Sequence, residues 1–254
     1  AEDGIRDSVA SRGLGDVYKR QNLDNVSVIH LDGDFDSVLT LLQGQVTSDC
    51  TQITNQFGQI SSLCDEKGFV LCNFEIIFDK NRWLIIIEKS SKGIFLDEIS
   101  KFLPFYKVSA VLLDLKVTGV TRNKDENILS DEHIIFQSDE ALLSLIIAND
   151  KKIKSGLELI DWAFNRKLLG DHQINFNEKG KYRPHELGQH ITRVSFKKGC
   201  FKGQEIIARM EYLGKLKKET RLIVYSKKRK YQNLQLLEKH TKIKISFFHR
   251  VLAI

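Results

Sequence analysis

The chain alternates short apolar bursts with polar breaks, and the spacing changes from period two to helical period several times. Asn25–Asp32 (NVSVIHLD) has strand character and ends at Gly33. Ser37–Gln43 sets Val38, Leu41 and Leu42 at helical spacing. Ser61–Asp65 and Phe69–Phe78 predict two strands about the turn Asp65-Glu66-Lys67-Gly68. Arg82–Glu88 predicts a hairpin partner across Asp79-Lys80-Asn81. Ser91–Phe102 reads as an amphipathic helix stopped at Pro104. Val108–Thr118 and Ala141–Ala148 predict further strands, and Lys154–Leu169 a helix carrying Trp162. After a Gly/Asn/Pro-rich loop over 170–190, the pattern predicts a strand at Thr192–Phe196 and a helix from Gln204 to about Tyr212. Hairpins beside separate helices point to an α+β fold rather than a doubly wound sheet.

With 254 residues the chain can bury a sizeable core in one or two domains. The longest apolar stretches, such as Trp83–Ile87, are strand-sized and far short of a membrane span. No apolar leader stands in the first twenty residues. The four cysteines, Cys50, Cys64, Cys72 and Cys200, form neither a C-x-x-C pair nor a zinc spacing, so free thiols in a reducing compartment, the cytoplasm, are expected. Residues 1–21 contain Asp16-Val17-Tyr18-Lys19-Arg20-Gln21, which reads as translated sequencing-adapter DNA, and they are set aside as non-native. The net charge of +6 is unevenly placed: residues 212–254 hold twelve Lys/Arg against two Glu. That basic end is either a solvated surface or a face for nucleic acid.

The stretch richest in chemistry is Lys198-Gly199-Cys200-Phe201-Lys202-Gly203-Gln204-Glu205. Thiolate is the reactive form of cysteine, and nearby cations or a helix N-terminus favour it. Lys197, Lys198 and Lys202 are within sequence reach of Cys200, and a helix is expected to begin at Gln204. The glycines allow backbone conformations closed to other residues. Glu205 and Arg209, four apart on the expected helix, can pair. Residue types alone leave two readings, a reactive thiol or a small inert cysteine in a glycine turn. His185 and His190 offer a Cys–His pair, but no third residue is evident to orient a hydrolase.

The octapeptide resembles the K-G-C-[YF]-x-G-Q-E signature of the YgfZ family, folate-binding proteins related to the T-protein (aminomethyltransferase) of the glycine cleavage system. Ser195-Phe196-Lys197 before it and Ile206-Ile207-Ala208-Arg209 after it also match the family manner. Upstream, Gln43-Gly44-Gln45-Val46-Thr47-Ser48-Asp49 is similar to Q-G-Q-V-T-x-D, and Cys64-Asp65-Glu66-Lys67-Gly68 to C-D-x-K-G. Phe105-Tyr106-Lys107-Val108 and Pro184-His185-Glu186-Leu187 resemble further family stretches in the same order, so the likeness covers roughly residues 23–222.

The resemblance implies a multi-lobed ring around a central hole for tetrahydrofolate or a derivative. Residues 22–212 would form the folate-binding region as two interleaved α+β lobes, and 213–254 a basic β-barrel lobe, shortened or cut off. It implies Cys200 as the working thiol within the loop Lys198, Gly199, Phe201, Gly203, Gln204, Glu205 and Arg209. Trp162, a set distance before Gly170, is implied as a stacking wall for folate, with a core tryptophan as the plainer reading. A second tryptophan found in some members near Val26 is absent. T-protein-like enzymes carry paired aspartates in G-G-x-x-D-D-L, and here those positions are Cys72 and Asn73, which cannot act as carboxylates. The expected function is therefore a folate-binding accessory protein of iron–sulfur enzyme maintenance and tRNA modification, with iron–sulfur or tRNA-modifying enzymes as partners. The alternatives are a folate-dependent aminomethyltransferase or demethylase and a basic tRNA-binding module.

Overall fold

A computed structural model of the chain describes residues 19–123, 127–139, 141–148, 159–214, 218 and 220. Its centre is a five-stranded antiparallel sheet in the order β3-β4-β5-β2-β6, from β2 (Val26–Asp32), β3 (Gln59–Cys64), β4 (Val70–Asp79), β5 (Arg82–Glu88) and β6 (Ser109–Leu113). Strand β5 is buried over five consecutive residues, Trp83 to Ile87, and side chains alternate across a strand. Trp83, Ile85 and Ile87 accordingly enter one apolar cluster and Leu84 and Ile86 another. A continuous apolar run here means a strand covered on both faces.

The first face is covered by helices α1 (Phe35–Gln45) and α2 (Lys92–Ser100), which contribute Val38, Leu41, Leu42, Ile94, Phe95 and Ile99. Asp34 caps α1, its carboxylate accepting from Ser37 N–H at 3.0 Å. A short helix, α3 (Leu103–Tyr106), takes Pro104 in its first turn and ends at Lys107 in a left-handed conformation, φ 54°. The second face packs on a four-stranded sheet, order β1-β7-β9-β8. Its strands are β1 (Lys19–Asn22), β7 (Lys116–Asn123), β8 (Glu132–Gln137) and β9 (Ala141–Ala148). Helix α4 (Leu159–Leu168) lays Trp162 on this sheet where Gly119 leaves room: a Cβ there would meet the indole at 2.7 Å.

Two sequence expectations need correction. Val108–Thr118 is not one strand: it breaks at Asp114-Leu115, and β6 and β7 join different sheets. Thr192–Phe196 is not a strand: Gln189–Thr192 forms helix α5, and Arg193 then turns inward. The Arg193 guanidinium is fully buried and donates to Asp171 and to the carbonyls of Ser61 and Phe74, which fixes the segment in an irregular path. The four-charge cluster Glu75, Arg166, Asp171 and Arg193 is thus internally paired.

Strand β1 includes Lys19 to Gln21, set aside above as adapter-derived. An edge pairing is a property of backbone and carries no information about origin. Residues 1–18, the start of the predicted helix at 154–158 and most of the 213–254 barrel lie outside the described residues. None of the described helices is long and apolar enough to cross a membrane.

Candidate functional site

Three motifs separated by up to 150 residues meet at one end of the central sheet. Segment 44–49 leaves α1 and bridges to β3 through Val46 and Leu63. Asp49 locks this segment, accepting from Gln43 Nε2 at 2.8 Å and from Thr51 Oγ1 at 2.7 Å. Burial pushes the Asp49 carboxyl up, but these bonds outweigh it and hold it below the usual range. Thr47 is buried and ties the segment in three directions. Its hydroxyl oxygen accepts from Ser62 N–H, its hydroxyl proton is donated to Arg193 O at 2.7 Å, and its carbonyl accepts from Ser195 N–H at 2.9 Å.

The signature loop closes over this frame. The buried Lys198 ammonium donates to Val46 O at 2.8 Å and Ser48 O at 2.7 Å, and lies 5.2 Å from the Phe201 ring. Burial brings its pKa down to about 8, with Cys50 and Asp49 pulling the other way. Lys202 N–H donates to Gly44 O, and its ammonium pairs with Glu98 at 2.9 Å and Glu66 at 3.1 Å. Burial lowers the Lys202 pKa, but the bonds to Glu98 and Glu66 prevail and raise it. Gly203 has φ 81°, and a Cβ there would stand 2.4 Å from Asp65 O. Opposite it, Gly68 has φ 73° and faces Ile207 of α6 (Gln204–Leu213). Phe201 and Ile207 fill a small apolar cluster with Cys64, Val70, Ile174 and Leu187.

Cys200 is the exposed apex of this knot; the other three cysteines are buried free thiols. A Cβ on Gly199 would meet nothing within 4 Å, so the loop faces open space at the residue before the thiol. Sequence adjacency misleads about the lysines: Lys198 and Lys202 spend their ammonium groups on Val46, Ser48, Glu66 and Glu98. They tie the loop down, and Lys197 is exposed. Glu205 and Arg209 lie 3.5 Å apart on the exposed face of α6, paired as their spacing predicts. Glu98 was invisible as a partner in the sequence, because only the fold brings α2 to the loop.

Cys72 and Asn73, which the resemblance sets against the T-protein aspartates, are both enclosed. Cys72 is fully buried in the first core, and burial pushes its thiol well above the usual range. The Asn73 amide donates to Ser62 Oγ and Gln189 Oε1 and accepts from Ile174 N–H and Gln189 Nε2. Its polar capacity is used within the protein. His185 and His190 stack at 4.6 Å, and His185 Nε2 sits 2.9 Å from Glu211.

A cleft of about 540 Å³ lies elsewhere, along the junction of β2, β6 and β7. Leu23, Val26, Val28, Leu113, Leu115 and Val117 give it an apolar wall, and Lys89, Lys92 and Lys116 give it cations beside Asp24 and Asp114. Trp162 is 7% exposed and does not line the cleft. It belongs to the apolar cluster that also holds Leu23, Val28 and Val117, behind the wall. Cys200 does not line it either. The cleft's volume, apolar wall and cations fit a folate, which needs the last for its carboxylate tail. The wall lacks a stacking ring.

No family model matches the chain. The chain is 28% identical over 214 residues to the tRNA-modifying protein YgfZ of Vibrio atlanticus, covering 74% of this chain and 64% of that protein. It is 27% identical over 244 residues to the YgfZ of Colwellia psychrerythraea (85% and 75%), and 26% over 220 residues to that of Escherichia coli O157:H7 (74% and 67%). It thus spans just under two thirds of the Vibrio relative's length. In fold it is similar to the glycine cleavage system aminomethyltransferase T of Bartonella henselae: TM-score 0.53 and 12% identity, over 76% of this chain and 63% of that one. The chain is a sequence relative of the YgfZ proteins on a fold shared with an aminomethyltransferase.

Proposed function

We propose that this protein is a folate-binding accessory factor for tRNA modification and the maintenance of iron–sulfur enzymes, with Cys200 as its working thiol. The observation that carries the reading is the knot itself. Buried lysine, threonine and glycine positions from three distant motifs are spent on holding one exposed cysteine in an open loop. A merely structural cysteine would sit inside, as Cys50, Cys64 and Cys72 do. The tRNA link rests on the names of the relatives.

In the cleft, Val26 and Leu115 would offer tetrahydrofolate an apolar wall, and Lys92 and Lys116 would supply the cations for its carboxylates. When bound, it supplies a one-carbon carrier or a reductant. The chain's own residues bind and orient it, and Cys200 provides a nucleophile at the other site. Titration of tetrahydrofolate, followed by tryptophan fluorescence and calorimetry, is expected to show saturable binding. Lys92→Glu with Lys116→Glu should weaken it roughly tenfold or more, since each reversal turns an attraction into a repulsion. Absence of binding to the folded protein would remove the folate half of the proposal.

Aminomethyl transfer is the second reading, favoured by the fold alone. Against it stand the enclosed Cys72 and Asn73, neither of which presents a carboxylate. Formation of methylene-tetrahydrofolate from an aminomethyl donor would reinstate it. A tRNA-binding role for the basic C-terminal region concerns residues outside those described. Its test is tRNA affinity with a steep salt dependence.

A further inference from the structure

The turn Asp65–Gly68, which packs against Gly203 of the signature loop, also meets the segment 176–183 (FNEKGKYR). Val70, just after the turn, accepts from Gly180 N–H and donates to Tyr182 O, both at 2.8 Å. Arg183 Nε donates to Lys67 O at 3.1 Å, and its guanidinium stands 4.0 Å over the Phe69 ring. These contacts gather Lys67, Lys179, Lys181 and Arg183 on one strip of the protein. The three lysines are exposed and Arg183 is half-buried. The strip shares no residue with the folate cleft.

Among the described residues none of these four cations forms an ion pair, whereas Lys101, Lys202 and Arg209 each do. The neighbouring acids are held by other groups. Asp65 accepts from the backbone N–H groups of Lys67 and Phe69, Glu66 pairs with Lys202, and Glu186 accepts from Arg183 N–H. Glu178 is 6% exposed, accepts from Asn175 N–H at 2.9 Å, and has both Lys167 and Lys181 within electrostatic reach. An aromatic ring stands at the end of the strip. Phe176 is 53% exposed on the single turn Phe176–Glu178. Asn175 fixes that turn, its side chain accepting from Asn177 N–H and its own N–H bonding Glu178. One exposed phenyl ring alone means little. Held rigidly beside unpaired cations, it supplies what a single-stranded nucleic acid uses: a ring for an unpaired base and cations for the adjoining phosphates. A duplex hides its base faces and would use the cations alone, as would an acidic peptide.

We propose that Phe176, Lys179, Lys181, Arg183 and Lys67 form a docking strip for a single-stranded RNA loop. Phe176 stacks on one unpaired base, and the cations meet the phosphates beside it. The strip is argued from ring and charge; that the nucleic acid is RNA rests on the tRNA half of the function proposed above. The contact then lies in the body, against the turn that packs on Gly203, rather than in the basic C-terminal region. The two proposals fail separately, because an accessory factor can support tRNA thiolation without touching RNA.

The test titrates the full chain with a labelled RNA stem–loop and, in separate arms, a blunt RNA duplex of equal length, a DNA stem–loop of the same sequence and a polyglutamate peptide. The RNA stem–loop should bind at least about fivefold more tightly than the duplex. Its log affinity should fall against log salt with a slope of about −2 to −3, as three or four neutralised phosphates require. Phe176→Ala should remove the preference for the loop and leave the slope unchanged. Lys179→Gln with Lys181→Gln should weaken both RNAs and reduce the slope by about 1. Phe176→Trp gives a local readout, because Trp83 and Trp162 are buried. Emission from the new indole should be quenched saturably by the stem–loop and not by the duplex. All are surface changes, and thermal unfolding confirms the fold of each. Equal binding of loop and duplex, or no quenching at position 176, would overturn the proposal. So would unchanged affinity in the double lysine variant, which would move the RNA to the C-terminal region. Polyglutamate binding as tightly as the RNA would replace RNA by an acidic protein, and a DNA stem–loop binding more tightly than its RNA counterpart would overturn the assignment to RNA.

Discussion

Lys198 and Ser48, 150 residues apart, are joined by a buried hydrogen bond of 2.7 Å from ammonium to carbonyl. The same ammonium holds Val46 O. Replacing Lys198 by Met leaves both carbonyls without their donor, which should cost about 1–3 kcal/mol in urea unfolding. The burial of this ammonium also gives a pH signature. The folded pKa is about 8, whereas an unfolded lysine titrates at about 10.4. Between those values the unfolded chain holds the proton and the folded chain has released it, so this group adds stability as pH rises. Wild type should gain on Lys198→Met by about 1 kcal/mol per pH unit across that window. A constant difference from pH 7.5 to 9.5 would contradict the burial of this ammonium.

Gly203 and Gly199 flank the thiol and should respond differently to the same change. Gly203→Ala drives a methyl into Asp65 O from a left-handed backbone and should cost more than about 2 kcal/mol. Gly199→Ala meets open space and should stay within about 0.5 kcal/mol. Thermal unfolding of the two variants decides the point; equal losses would mean that the loop is not anchored at Asp65.

Thiol accessibility tests the placement of the four cysteines. Cys200 is exposed, while burial pushes Cys50 up to about 12 and Cys64 and Cys72 higher still. A thiol-titrating disulfide reagent should label one group in the native protein and the other three only after unfolding. Cys200→Ser should remove the rapid phase and change stability by less than about 0.5 kcal/mol. Rapid labelling of a second thiol would contradict the packing of β3 and β4.

Asp171 sits between Arg166 and Arg193. Burial pushes its carboxyl up, but the two guanidinium groups outweigh this and hold it at about 2. Its contribution to stability is therefore complete above about pH 4 and lost as pH falls toward 2. Asp171→Asn leaves a buried guanidinium uncompensated and should cost roughly 3–5 kcal/mol at pH 7. The variant should also lose less stability than wild type between pH 4 and pH 2.5. Identical acid profiles would show that the pairing does not hold.

What could be read in the sequence followed from local periodicity. Strands β5 and β9 agree with the predicted Arg82–Glu88 and Ala141–Ala148, because unbroken apolar runs of strand length have one good burial solution. Strand β8 went unread, and its Glu132 and His133 are buried polar residues that hide the pattern. Thr192–Phe196 was expected as a strand and takes an irregular path instead, because Arg193 is fully buried on Asp171, a pairing that only the fold supplies. The motifs of the site were legible, but not their roles. Lys198 and Lys202 read as activators of Cys200 and instead anchor the loop through partners that only the fold supplies. Trp162 packs against Gly119 in the second core, a neighbour that sequence spacing does not reveal.

Complementation tests the central claim most directly. The chain and its Cys200→Ser variant, matched for expression and for native thermal unfolding, are introduced into a bacterial strain lacking its own YgfZ protein, and thiolated tRNA is quantified. The account predicts that the wild-type chain restores thiolation and that Cys200→Ser, though folded, does not. Restoration by Cys200→Ser at the wild-type level would contradict the assignment of Cys200 as the working thiol.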